Sequence, residues 1–74
     1  MLREANEYKL AGNEFFAKAQ YDEAIAKYED ALLSCPERST QERAVYFANI
    51  AACQMKQVYV VLIIHSVEAA AKYN

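Results

Sequence analysis

The stretch Ala5-Asn6-Glu7-Tyr8-Lys9-Leu10-Ala11-Gly12-Asn13-Glu14-Phe15-Phe16-Ala17-Lys18-Ala19 decides the fold. In it Ala5, Tyr8, Ala11, Gly12, Phe15, Phe16 and Ala19 recur at three-and-four spacing, which lines one face of an α-helix. A second stripe follows, Tyr21, Ala24, Ile25, Tyr28, Ala31 and Leu32, with Asp22 and Glu23 at its start, where acidic side chains suit the helix dipole. Proline disfavours helical geometry in the residue before it, so Cys35-Pro36 closes this second helix. Gly12 inside a helix costs about 1 kcal/mol relative to Ala, and a close helix contact would offset that cost. The spacing predicts an antiparallel hairpin with small residues Gly12, Ala24 and Ala31 at the crossings. Aromatic residues Tyr8, Phe15 and Tyr28 lie between those crossings.

Outward from the hairpin, the composition narrows the class. The 74 residues hold one small domain, 55% hydrophobic and 24% charged, with one Gly and one Pro in the whole chain. An all-β fold needs turn residues far more often, so the chain is expected to be all-α. Eight Lys and Arg stand against ten Asp and Glu, a net charge of −2 without runs, which gives no electrostatic footprint for nucleic acid or an anionic membrane. The first seven residues lack the apolar stretch of a signal peptide, and the longest apolar run, Val58 to Ile64, has seven residues. No export and no membrane span are therefore expected. Cys35 and Cys53 form neither a disulfide framework nor a zinc motif, which fits a reducing compartment.

Ser39-Thr40-Gln41-Glu42 fits the S-x-x-E capping box before a third apolar stripe, Ala44, Phe47, Ala48, Ala51, Met55 and Val58. That stripe is the expected packing face of helix three. Beyond it Val58-Tyr59-Val60-Val61-Leu62-Ile63-Ile64 is apolar all round, and no Gly, Pro or Asp lies between Gln41 and Tyr73 to turn the chain. The expectation is that helix three runs on into this tail, a two-helix hairpin being the alternative. Either way the apolar surface exceeds what so short a chain easily covers, and a homo-oligomer through Val58 to Ile64 is an expected outlet.

Position by position over Ala5 to Arg38, the hairpin resembles the tetratricopeptide repeat, a 34-residue helix-turn-helix unit. Tyr8 stands at its first aromatic position, Ala11-Gly12 at the Leu-Gly position and Phe15 at the next aromatic. Ala24, Tyr28, Ala31 and Pro36 match the small, aromatic, small and closing-proline positions of the second half. The resemblance implies a single domain over residues 1–74: repeat one at 5–38, a connection at 39–43 and a partial, divergent repeat two at 44–74. Tyr46-Phe47-Ala48-Asn49-Ile50-Ala51-Ala52 resembles the family's recurrent aromatic-x-x-Asn-x-Ala-Ala segment. Beyond Gln57 the likeness fades, with Ile63 and Val67 where small and aromatic residues belong and only Ala70 in pattern. The fold implied is an incomplete superhelix: a hairpin, a third helix and a helical apolar tail.

In the chaperone-binding branch of that family a carboxylate clamp is built from Lys and Asn on the first helix, Asn on the third, and Lys and Arg on the fifth. Lys9-Leu10-Ala11-Gly12-Asn13 matches the K-x-x-G-N element, and Asn49 matches the Asn of the third helix. Residues four apart share a helix face, so Lys9 and Asn13 would present an ammonium and an amide together. With Asn49 they would donate charge-assisted hydrogen bonds to a terminal carboxylate. The fifth helix is missing, and Ile50 stands where an Arg often follows the Asn. The resemblance therefore implies a cytoplasmic, non-enzymatic co-chaperone-like module with a partial clamp for the acidic carboxyl-terminal peptide of Hsp70/Hsp90 chaperones. The alternative is a self-associating helical module, or a truncated repeat fragment with no functional groove.

Other chemistry is thin. His65 has one carboxylate at ligand spacing, Glu68, and no second His or Cys, which is poor support for a metal site. Cys35 and Cys53 read as small core or loop residues rather than nucleophiles. No phosphate loop or nucleophile–base pair is apparent, so neither an enzyme nor a cofactor is expected. Nine aromatic residues at helical spacing read as core rather than as a base-stacking platform.

Overall fold

The computed structural model describes residues 2–73, and the side chains of residues 2–72. The fold is all-α, a helical hairpin followed by one long helix: α1 Leu2–Ala17, α2 Tyr21–Ser34 and α3 Thr40–Tyr73. Between α1 and α2 the chain turns in three residues. The N–H of Gln20 bonds to the Phe15 carbonyl at 2.9 Å and that of Ala19 to Phe16 at 3.0 Å, the pair of bonds that defines a Schellman cap. Ala19 takes the left-handed position of that cap, with φ 60°, although it carries a Cβ. The sequence stripe counted Ala19 as the end of helix one; it lies outside the helix and is exposed.

The second turn uses proline. Cys35 is extended, φ −95° and ψ 132°, as a residue before Pro must be. Ser39 N–H then bonds to Pro36 O, and Arg43 N–H to Ser39 O, both at 3.0 Å. Ser39 is thus the residue from which α3 starts. Residues 40–43, expected to belong to the connection, form the first turn of α3, so the connection is confined to residues 35–39.

Helix α2 lies between the other two and packs on both. Two small clusters of buried residues fill the seams. One holds Ala5, Ala31, Cys35 and Tyr46, with Tyr8 and Leu32 against it; the other holds Ala24, Tyr28 and Cys53, with Phe15, Phe16, Ile25 and Ile50 alongside. Alanines and cysteines at the crossings let the helices approach closely, and aromatic side chains fill the space between. Phe16 on Tyr21, edge to face at 5.5 Å, pins the turn of the hairpin, and the Lys27 ammonium lies 5.7 Å from the Tyr8 ring centre midway along it. Two longer-range bonds hold α3: Arg43 Nη1 to the Leu32 carbonyl at 3.1 Å, and Gln57 Nε2 to Asp22 Oδ1 at 2.6 Å. The first satisfies one of the carbonyls that the end of α2 leaves unpaired.

Two features of α3 decide the rest. Its face toward α2 is Tyr46, Ile50, Cys53 and Gln57, not the stripe Ala44, Phe47, Ala48, Ala51, Met55 and Val58, all of which are exposed. Met55 is 73% exposed and Val58 58%. The more apolar stripe is the face on which a following helix would pack, and here the chain continues straight instead of turning back. Accordingly α3 runs as one helix of 34 residues, about 51 Å at 1.5 Å per residue, and no residue from Val58 to Lys72 is buried. The radius of gyration, 15.8 Å, exceeds the roughly 11 Å of a compact chain of this length for that reason.

Two substitutions test this account of the turns and crossings. A Cβ on Gly12 would lie 2.6 Å from Cε1 and 2.9 Å from Cδ1 of Tyr28. Gly12→Ala should therefore destabilise the chain by about 1–3 kcal/mol, against the gain of about 1 kcal/mol that propensity alone offers. Ala19→Gly should stabilise it by about 0.5–1 kcal/mol by relieving the left-handed alanine. Chemical denaturation of the two variants reads both signs, and a gain for Gly12→Ala would mean that α1 and α2 do not meet at Gly12.

Candidate functional site

The site is assembled from one contact inside the hairpin. Without a side chain at Gly12, the Tyr28 ring lies directly on the α1 backbone, 2% exposed. From that seat its hydroxyl reaches the next residue of α1 and donates to Asn13 Oδ1 at 2.6 Å. A neutral phenol is required for this bond. Burial, with a smaller contribution from Cys53, pushes the Tyr28 phenol above its ordinary value of 10.0, so it stays protonated at neutral pH. The bond occupies the acceptor of the Asn13 amide and leaves its two N–H donors for a ligand.

Asn49 reaches the same place from α3. Asn13, Asn49, Phe16, Tyr28 and Ala52 line one groove of about 290 Å³. Asn13 is exposed and Asn49 half-buried. Its floor is aromatic and its rim carries two carboxamides, a combination that can accept an extended chain and hydrogen-bond its polar end.

Lys9 lies one turn earlier on α1, half-buried, in an adjoining groove of about 370 Å³ that also includes Arg3, Asn6, Glu42 and Tyr46. The three residues singled out in the sequence thus divide into Asn13 with Asn49 and Lys9 beside them. Arg3 and Asn6 were not singled out. Their signal was available, since Arg3, Asn6, Lys9 and Asn13 follow one another at three-and-four spacing. Arg3 adds a second positive charge beside Lys9, and Glu42 from α3 opposes both.

The helix-packing residues fall inside the hairpin. Gly12, Ala24, Tyr28 and Ala31 are buried, while Tyr8 and Phe15 are half-buried against the two clusters. Tyr46 and Cys53 anchor α3. Burial pushes the Tyr46 phenol up, with Cys35 and Glu42 adding to it, and it pushes the Cys53 thiol up, partly offset by a backbone hydrogen bond. Both cysteines are free and buried. His65, Glu68 and Lys72 are exposed together near the far end of α3. Among the described residues no three His, Cys, Asp or Glu side chains gather as metal ligands would.

Helix α3 is also long and apolar enough, by length and composition, to contain a membrane span. The charge-free stretch between Lys56 and Glu68 has eleven residues, about 17 Å of helix. That is little more than half of a hydrocarbon core of about 30 Å, so a crossing would bury a charge.

No family model matches the sequence, and no solved structure matches the chain. The reading of the site therefore rests on its geometry and on the residue pattern that builds it.

The raised groups set a pH dependence. Tyr28, Tyr46 and Cys53 all hold their protons more tightly folded than unfolded, so their contribution is fully present below their ordinary values and is lost as pH rises through the folded ones. Stability should be level towards neutral pH and should fall above about pH 9–10 as the unfolded chain releases protons first. Tyr28→Phe should lower stability at neutral pH by about 0.5–1.5 kcal/mol through the lost bond to Asn13. It should also make the alkaline fall shallower. Denaturation midpoints from neutral to alkaline pH measure both, and an unaltered slope in Tyr28→Phe would remove the buried phenol from the account.

Proposed function

We propose that the chain is a non-enzymatic protein-interaction module of the tetratricopeptide type, one and a half repeats of an incomplete superhelix. It binds the acidic carboxyl-terminal tail of cytosolic chaperones through a partial carboxylate clamp. The observation that carries this reading is the groove shared by Asn13 and Asn49, two carboxamides far apart in sequence that line it from α1 and α3, with Lys9 one turn away.

The chemistry supports a terminal carboxylate over other polar groups. Carboxamide N–H groups and an ammonium are donors, and a carboxylate offers acceptors for all of them at once, with charge assistance from Lys9. Arg3 extends the positive end of the wall for an acidic side chain of the same peptide. Glu42 works against acidic residues further along. With two clamp positions of the family pattern lacking, binding is weak and favours the peptide end over its length. In this reading the chain works in the cytosol, where such tails are found.

Fluorescence titration with an amino-terminally labelled acidic peptide tests the proposal. The free-acid peptide should bind and its carboxyl-amidated form should bind at least about tenfold more weakly, as loss of a charge-assisted bond implies. Lys9→Ala should weaken the free acid by a similar factor and leave the amidated form unchanged. Equal affinity for the two forms would overturn the proposal.

A further inference from the structure

The unpartnered face of α3 is more regular than a scatter of exposed apolar residues. Ala44, Ala48, Ala51, Met55, Val58, Leu62, His65 and Ala69 follow one another at alternating spacings of four and three along α3, the repeat of a coiled-coil seam. All eight are exposed. Met55, Val58 and Leu62 are also lining residues of one open apolar groove of about 410 Å³. This seam lies opposite the face that packs on α2, so an occupant would sandwich α3 without displacing the hairpin.

We infer that the occupant is a second copy of the chain, its α3 laid antiparallel along the same seam about a two-fold axis between Met55 and Val58. In this register the layers are complementary in size. Met55 faces Val58 of the second copy, Ala51 faces Leu62, Ala48 faces His65 and Ala44 faces Ala69, so Leu62 and His65 of the distal half each meet an alanine of the proximal half. Two-fold symmetry makes every layer occur twice. The charges agree with the register. Glu68 of one copy comes beside Phe47 of the other on the flank of the seam, and the Arg43 guanidinium lies 5.8 Å from the centre of that ring. Sliding the pair by one heptad towards either end loses these contacts and shortens the overlap or leaves Leu62 unpaired with Ala51.

The antiparallel pairing also accounts for the length of α3. Residues 58–72 are all exposed, and a helical segment of that length is marginal in water on its own. Laid against the proximal half of a second copy, whose α3 is fixed by α2, the distal half gains a partner along its whole length. The groove of Asn13 and Asn49 stays open, because Val45, Asn49 and Ala52 occupy a different stripe of α3. The dimer and the peptide site are therefore carried by separate observations.

Sedimentation equilibrium over about a thousandfold range of chain concentration, with helicity followed in parallel, tests the pairing. The expected result is a monomer–dimer equilibrium without larger species, with helicity rising as the dimer forms. Leu62→Lys should abolish it while leaving the peptide site and the thermal transition of the hairpin in place, since Leu62 is 58% exposed. The register is read by size exchange. Ala51→Leu, which sets bulk against Leu62 of the second copy, should weaken the dimer on the order of tenfold, and adding Leu62→Ala in the same chain should restore most of that loss. A monomer at every concentration would overturn the inference, and so would a dimer indifferent to Leu62→Lys. Failure of the double exchange to recover would overturn the antiparallel register. A monomer that sediments with phosphatidylcholine vesicles would assign the face to a lipid surface instead.

Discussion

The contact of the Tyr28 ring with the bare backbone at Gly12 is the constraint on which the molecule depends. It brings α1 and α2 close enough for Ala5, Ala24 and Ala31 to be fully buried, and it sets the hydroxyl of Tyr28 within reach of Asn13. Packing and site are therefore one device. A larger residue at position 12 would separate the helices and carry the hydroxyl away from the amide. The same ring lies in the cluster with Cys53, so the position of α3, and with it Asn49, is tied to it as well.

Seen from that contact, α3 is a helix with three separate stripes. One, through Tyr46, Cys53 and Gln57, is fixed to α2. The second, through Glu42, Val45, Asn49 and Ala52, forms the far wall of the grooves along α1. The third is the seam from Ala44 to Ala69, which nothing in the chain covers. A superhelical repeat array normally covers such a face with its next helix. Here α3 continues through Val58 to Ile64 instead, and a helix without that neighbour keeps its apolar surface in water unless a second molecule takes the neighbour's place.

Much of this was legible in the sequence, for reasons that differ by element. The hairpin was readable because its periodicity, its internal glycine and its closing proline each have a local physical meaning. The straight course of α3 followed from the lack of any turn residue after Gln41. Which face of α3 would be buried was not readable from apolar content. The stripe with Phe47, Met55 and Val58 is the more hydrophobic, yet the inner face is built from Tyr46, Ile50 and Cys53, because α2 presents small residues and an aromatic ring that fit a thiol and a phenol. Ala19 misled for a related reason: its spacing continued the helical stripe, while the Schellman cap that reverses the chain took it out of the helix. In the site, Lys9, Asn13 and Asn49 were visible through a residue pattern, but the hydrogen bond that orients Asn13 was not, since Tyr28 reads as a core aromatic and its hydroxyl partner is set by tertiary packing. Arg3 and Asn6 went unmarked because a polar stripe on an exposed helix face has no signal that separates it from ordinary solvation.

The proposed peptide site requires the Tyr28–Gly12 contact to present the carboxamides of Asn13 and Asn49 to a common ligand. Nitrogen–proton correlation spectra of the side-chain amides, recorded while a free-acid acidic peptide is added, test it most directly. The Asn13 and Asn49 side-chain signals should shift together along a single binding curve, and the Asn6 signal in the adjoining groove should move less. Shifts confined to Gln54 on the far face of α3, with both asparagines unmoved, would contradict it.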